Sequence, residues 1–198
     1  EAKAFIVAHK DKPFFLYMPF NAVHAPLQSP DKYKKRFADI TDPKRQTFAA
    51  MLSAMDDQVG VITRTLQENR LDKNTLVVFI SDNGGPTPTT TSSNVPLRGY
   101  KGQMYEGGIR VPYIVTWPSQ IKSAQTLSQP VISLDIVPTA LEAAGAESDN
   151  GLHGKSMLPL LKGQNSVATH DALFWRMGQQ HAARVGDWKL VSRSGVTE

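Results

Sequence analysis

The sequence predicts an α/β fold: a layered core with a mainly parallel sheet, followed by a small antiparallel sheet at the C-terminal end. Three observations carry this. Apolar runs at residues 14–18, 75–80 and 111–117 are short and continuous, and each stops at proline or at turn residues, as strands covered on both faces do. Between the first two runs lies a long stripe of apolar residues spaced by three and four, so helix alternates with strand. Beyond Asp171 the pattern changes to three short strand-like segments joined by turns around Gly178 and Gly186-Asp187.

Taken in order, residues 2–10 read as a short helix that ends before Pro13. Phe14, Phe15, Leu16, Tyr17 and Met18 form the first strand, closed by Pro19, and a proline-containing loop follows to Pro30. Asp42-Pro43 opens the long helix, with Asp42 as N-cap and Pro43 in the first helical position, where its missing N–H costs nothing. Its stripe is Phe48, Met51, Leu52, Met55, Val59, Ile62 and Leu66. The second strand runs from Thr75 to Ile80 and empties into Ser81-Asp82-Asn83-Gly84-Gly85. Residues 86–94 form a loop of Pro, Thr, Ser and Asn. A third buried strand ends at Trp117-Pro118, residues 134–144 form a helix capped by Gly145, and residues 156–162 form a helical turn. The expected domains are residues 1–165, part of an α/β catalytic domain, and residues 166–198, an incomplete antiparallel subdomain.

The bulk numbers exclude several classes. The 198 residues carry a formal net charge of +4, 40% hydrophobic and 20% charged residues, an ordinary globular composition. The dense basic cluster, Lys32, Lys34, Lys35 and Arg36 with Lys44 and Arg45 beyond it, reads as a solvated face, so nucleic acid is not an expected partner. The absence of cysteine excludes disulfides, zinc–thiolate sites and thiol nucleophiles within the chain. No run of 18 or more apolar residues occurs, and a membrane is not an expected partner. The start at Glu1-Ala2-Lys3 is read as that of a fragment or a processed piece.

Ligands of parallel sheets sit beyond the C-terminal ends of strands, which directs attention to the loops after Met18, Ile80 and Trp117. Asp82 and Asn83 place two hard oxygen donors directly after a strand, a pair suited to Ca²⁺ or Mg²⁺, although Asp-Asn-Gly is equally turn chemistry. His24, in the loop after the first strand, can donate a hydrogen bond to an anionic oxygen or act as an acid; a structural or exposed histidine is the plainer reading. Lys101 is a compact cation in Gly99-Tyr100-Lys101-Gly102, a setting that admits a sulfate or phosphate oxygen, or else an ordinary flexible loop. Arg98 and Arg110 compete with it as cations, and Arg110 is expected to be structural, paired with a carboxylate under the sheet. His153, His170 and His181 lack ligand spacing and are expected to be surface or structural residues.

Together these segments resemble the type I sulfatases of the alkaline-phosphatase-like superfamily. The resemblance rests on the strand and loop from Phe14 through His24-Ala25-Pro26, on Val78-Phe79-Ile80-Ser81-Asp82-Asn83-Gly84-Gly85, and on Arg98 through Gly102 continuing to Tyr105-Glu106-Gly107-Gly108-Ile109-Arg110-Val111-Pro112. Ser133-Leu134-Asp135-Ile136-Val137-Pro138-Thr139 and Gly186-Asp187-Trp188-Lys189-Leu190 are similar to later landmarks of the family. The resemblance implies that Asp82 and Asn83 help to hold Ca²⁺ or Mg²⁺, that Lys101 contacts a sulfate oxygen and the leaving oxygen, and that His24 contacts the sulfate and assists departure of the leaving group. It implies a formylglycine nucleophile made from Cys or Ser in a Cys/Ser-x-Pro-x-Arg motif, a substrate that is a sulfated sugar or aryl sulfate, and a periplasmic, extracellular or lysosomal location. Residues 21–33 and 100–113 look most like carbohydrate sulfatases, of the N-acetylgalactosamine-6-sulfate type.

The chain departs from the family in two respects, its nucleophile motif and the acidic pair expected near a sulfatase N-terminus, both of which it lacks. It contains neither cysteine nor Ser-x-Pro-x-Arg; Thr41-Asp42-Pro43-Lys44-Arg45 is a coincidental near match in the wrong place. By itself the polypeptide is therefore expected not to turn over sulfate esters. The alternatives are a phosphodiesterase or phosphonate hydrolase of the same superfamily, or an inactive fragment used for binding.

Overall fold

The computed structural model describes residues 1–147, 151–164, 168–193 and 195–197. The expected domain boundary at residues 165 and 166 lies outside them. The contacts divide the chain into two compact units, residues 1–73 with 85–93, and residues 74–84 with 94–198.

The first unit is helical. Helix α1 spans Ala2–His9, α2 spans Asp31–Lys34, and α3 spans Pro43–Glu68. Helix α3 starts where the sequence dictates: the Asp42 carboxylate accepts from the Arg45 N–H at 2.6 Å, satisfying one orphan donor of the first turn. Phe48, Met51 and Leu66 of the stripe are buried, with Ile6 of α1 and Tyr33 of α2, whereas Leu52 is exposed. Arg45 also donates to the Thr91 carbonyl at 2.9 Å, holding the 85–93 loop to this unit. The basic cluster is not uniformly solvated. Arg36 makes a bidentate pair with Asp57, at 2.8 and 3.2 Å, and lies over the Tyr33 ring. The hydrogen bonds from Arg36 hold the Asp57 carboxyl below its usual range.

The expected strand at residues 14–18 is corrected. The segment is not part of a sheet among the described residues, and Phe15 and Tyr17 are 70% and 75% exposed. A run of apolar residues can extend a backbone, but a strand exists only where a partner accepts its ladder of hydrogen bonds. None of the described strands belongs to this unit.

The second unit carries both sheets. Strand β1 is Val77–Ile80 and β2 is Tyr113–Thr116; helix α4 is Glu106–Ile109, α5 is Ile136–Ala143 and α6 is Leu158–Leu161. The mainly parallel arrangement is corrected for the described residues: β1 and β2 pair antiparallel, from Val77 opposite Thr116 to Ile80 opposite Tyr113. Strand β2 is also less buried than expected, because its side chains alternate. Tyr113 and Val115 pack against Ile121, Met157 and Leu161, while Ile114 on the other face is 60% exposed. Helix α5 ends as expected, with the Ala146 N–H bonded to the Leu141 carbonyl and the Gly145 N–H to that of Glu142, a Schellman cap.

The small C-terminal antiparallel sheet is present. Strands β3 (Ala172–Met177), β4 (Gln180–Val185), β5 (Trp188–Arg193) and β6 (Val196–Thr197) form a meander in sequence order. Gly178 and Gly186 occupy the first position of two-residue turns with φ of +59° and +54°, as type II′ hairpins require. One face carries Leu173, Ala182 and Val191 inward, and Met104 packs against the last two.

Candidate active site

The C-terminal end of β1 is built on glycines. The Ser81 N–H continues the ladder to the Pro112 carbonyl at 3.3 Å, and the Gly84 N–H donates to the Gly108 carbonyl at 2.9 Å. A methyl group on Gly84 would fall far inside van der Waals contact distance of the Gly107 carbonyl oxygen and 3.1 Å from the Gly108 Cα. Gly107 and Gly108 are equally tight on their other side, where added methyl groups would lie 2.7 Å from the Arg98 and Tyr100 carbonyl oxygens. The strand end bearing Asp82 and Asn83 and the turn bearing Lys101 thus rest on one glycine pair, backbone against backbone. We expect Gly84→Ala to lower the stability of the whole protein by about 3 kcal/mol, the upper part of the overpacking range. An unchanged unfolding midpoint would show that the contact yields.

Asp82 is exposed, and its carboxylate makes no hydrogen bond or ion pair among the described residues. The Asn83 side chain donates through Nδ2 to the Gly84 carbonyl at 3.1 Å, which leaves its Oδ1 able to accept a cation. Two oxygens are a part of the six to eight that Ca²⁺ takes, and no cluster of three or more ligating side chains occurs among the described residues. The donors are of the right chemistry for such a cation, as a share of its shell.

Lys101 is half-buried in a turn bounded by Gly99 and Gly102, with φ of +92° and +89°. The neighbouring cations are engaged. Arg98 lies over the Tyr105 ring with Nη2 3.2 Å from its hydroxyl, and Arg110 lies 3.7 Å from Glu106, the expected carboxylate pairing, but with its side chain 67% exposed and not under the sheet. Among the described residues, no carboxylate pairs with Lys101. Its charge remains available to an anion.

His24 belongs to the first unit and is exposed, with Nδ1 2.6 Å from the Ala25 carbonyl oxygen. A carbonyl can only accept, so Nδ1 carries a proton in this contact and Nε2 is left to face a ligand. Asp82, Asn83 and Lys101 share the second unit; His24 is described by itself.

The sequence reading passed over one group. Asp135 is 0% exposed and accepts from the backbone N–H of Ile132 and of Lys155, both at 2.9 Å, and it contacts His170 Nε2 at 2.8 and 3.0 Å. His170 is structural, with its side chain 7% exposed, whereas His153 and His181 are exposed. The Tyr113 hydroxyl is pushed up in pKa by burial and secondarily by the charge of Asp135. The 35-residue separation of Asp135 from His170 hid the pair.

The comparisons agree with this architecture. A family model described as Sulfatase matches residues 1–146. Arylsulfatase H of Homo sapiens is 37% identical over 188 residues, covering 90% of this chain and 32% of that protein. Steryl-sulfatase of Homo sapiens is 34% identical over 183 residues, covering 88% of this chain and 30% of that protein. A crystal structure of Ps i-CgsB in complex with k-i-k-neocarrahexaose superposes with a TM-score of 0.89 at 34% identity, covering 98% of this chain and 44% of that one. The chain belongs to the sulfatase family, and its fold is of the alkaline-phosphatase-like α/β class. It spans about a third of the length of the curated relatives it matches. No helix among the described residues is long and apolar enough to cross a membrane.

Proposed function

We propose that the whole protein hydrolyses sulfate esters of carbohydrates, and that this chain contributes Asp82 and Asn83 as metal ligands, Lys101 as a sulfate-facing cation and His24 as an acid toward the leaving group. The observation that supports it best is the glycine pair, which fixes two unengaged oxygen donors and one unpaired ammonium on a common backbone support. The resemblance to a protein crystallised in complex with k-i-k-neocarrahexaose, a carbohydrate, favours a sugar sulfate over a simple aryl sulfate.

In this reading Asp82 and Asn83 present oxygens to a divalent cation, Ca²⁺ or Mg²⁺, both of which take hard oxygen donors. That cation and the formylglycine expected of the family would supply charge neutralisation and the nucleophile; neither the Cys nor the Ser motif is in this chain. The Lys101 ammonium offers its point charge to a sulfate oxygen, where negative charge shifts as the S–O bond to the leaving group lengthens. The contact of Nδ1 with Ala25 orients the His24 ring, and from the imidazolium form Nε2 would give its proton to the departing oxygen, which leaves as an alcohol.

The test uses the whole protein. Sulfate release should exceed phosphate release from matched aryl esters and should extend to a sulfated oligosaccharide. Faster turnover of the aryl phosphate would move the protein to the phosphodiesterase and phosphonate hydrolase branch. Addition of Ca²⁺ should raise the melting temperature, by linkage of binding to folding, and Asp82→Ala should diminish that rise.

A further inference from the structure

Resting on the reading of Lys101 as the sulfate-facing cation, we infer that the C-terminal antiparallel sheet positions Lys101, acting through Gln180 and Glu106. The turn that carries Lys101 is bounded by two glycines in the left-handed region, and Asn94 Nδ2 holds its entry by donating to the Gly99 carbonyl at 3.1 Å. Strands β4 and β5 supply the anchors on its exit side. Gln180 Nε2 donates to the Gly102 carbonyl at 3.0 Å, one residue after Lys101. Met104 is buried against Ala182 and Val191. Glu106 then receives Lys189 Nζ at 2.5 Å on Oε1 and Arg184 Nη1 at 3.9 Å on Oε2, with Arg110 at 3.7 Å.

The placement of these cations shows what they are for. Arg184 and Lys189 are direct cross-strand partners on the inward face of the sheet. Two like charges opposite each other destabilise a strand pair, and burying them adds a desolvation cost. The Glu106 carboxylate offsets both by reaching between them. The sheet therefore needs Glu106 as much as the turn needs the sheet, and the turn cannot shift without uncovering a half-buried pair of cations. Gln180, Lys189 and Glu106 are positioning residues; none is proposed to touch substrate.

A support that merely keeps the protein folded would affect all substrates alike. One that aims the ammonium at the leaving oxygen is needed most by esters whose leaving group is poor. The experiment measures kcat and KM of the whole protein on 4-nitrophenyl sulfate and on an alkyl sugar sulfate, together with the melting temperature. The variants are Gln180→Ala, Lys189→Met, Lys189→Arg and Lys101→Ala, with Arg36→Ala as an ion-pair control in the first unit. We expect Gln180→Ala and Lys189→Met to lower kcat on the sugar sulfate about tenfold, in line with the rate cost of small misplacements, with a smaller loss on 4-nitrophenyl sulfate. Lys189→Arg should restore kcat to within about twofold, since it keeps the charge that Glu106 needs. Equal losses on both esters that simply follow the melting temperature, as in Arg36→Ala, would overturn the inference. Full activity in Lys189→Met beside an impaired Lys101→Ala would overturn positioning alone, and an unimpaired Lys101→Ala would overturn it together with the role of Lys101.

Discussion

Lys101→Ala should reduce kcat of the whole protein by about 10²–10³, the usual loss on removing one electrostatic stabiliser of a transition state. KM should change little. Two unit charges 4 Å apart interact by about 4 kcal/mol at an effective dielectric of about 20, the setting of a partly buried site. That is an upper limit of roughly three powers of ten in rate if the interaction forms only in the transition state. The limit is approached only by a cation without a competing partner, and Lys101 meets this condition among the described residues while Arg98 and Arg110 do not. Lys101→Arg should recover part of the rate, because it restores charge but not the compact head that fits between the glycines. A loss of less than threefold in kcat for Lys101→Ala would remove this residue from the chemistry.

The second large effect concerns stability. Asp135→Asn should lower it by about 3 kcal/mol, the cost of leaving buried donors of a hydrogen-bond network without their acceptor. The carboxylate accepts from two backbone N–H groups and from His170, and an amide would turn at least one donor toward another donor. Thr139 compounds the loss: its hydroxyl donates to the Asp135 carbonyl at 2.5 Å and accepts from the Met157 N–H at 2.9 Å, so one network joins residues 132–139, 155–157 and 170. The melting temperature should fall by roughly 10 °C; a fall under 3 °C would show that the network is dispensable. Tyr113 adds a pH signature. Its raised pKa means that its contribution is intact below the ordinary tyrosine value of about 10 and is lost as pH rises above it. With the charge of Asp135 removed, the smaller of the two causes disappears and the alkaline loss should lessen in the variant.

Much of the fold was legible because its signals are local. Asp42 and Pro43 fix the start of α3, Gly145 ends α5, and the glycines at 178 and 186 set the hairpins of the C-terminal sheet. The failures involve partners. Residues 14–18 have the composition of a buried strand without a pairing strand in their unit, and β2 has one face exposed because the apolar count of a segment does not say which faces are covered. The candidate site residues could be named from motif and position, since Asp82, Asn83 and Lys101 lie in turns announced by adjacent glycines.

By itself the sequence determined the family, the helix and hairpin boundaries, and the residue types able to bind a cation and a sulfate, because each depends on neighbours within a few positions. Only the tertiary structure decided that Gly84 rests on Gly107 and Gly108, that Glu106 sits between Arg184 and Lys189, and that Asp135 meets His170. Those contacts join residues tens of positions apart, and close packing and charge balance, which have no period in the chain, select them.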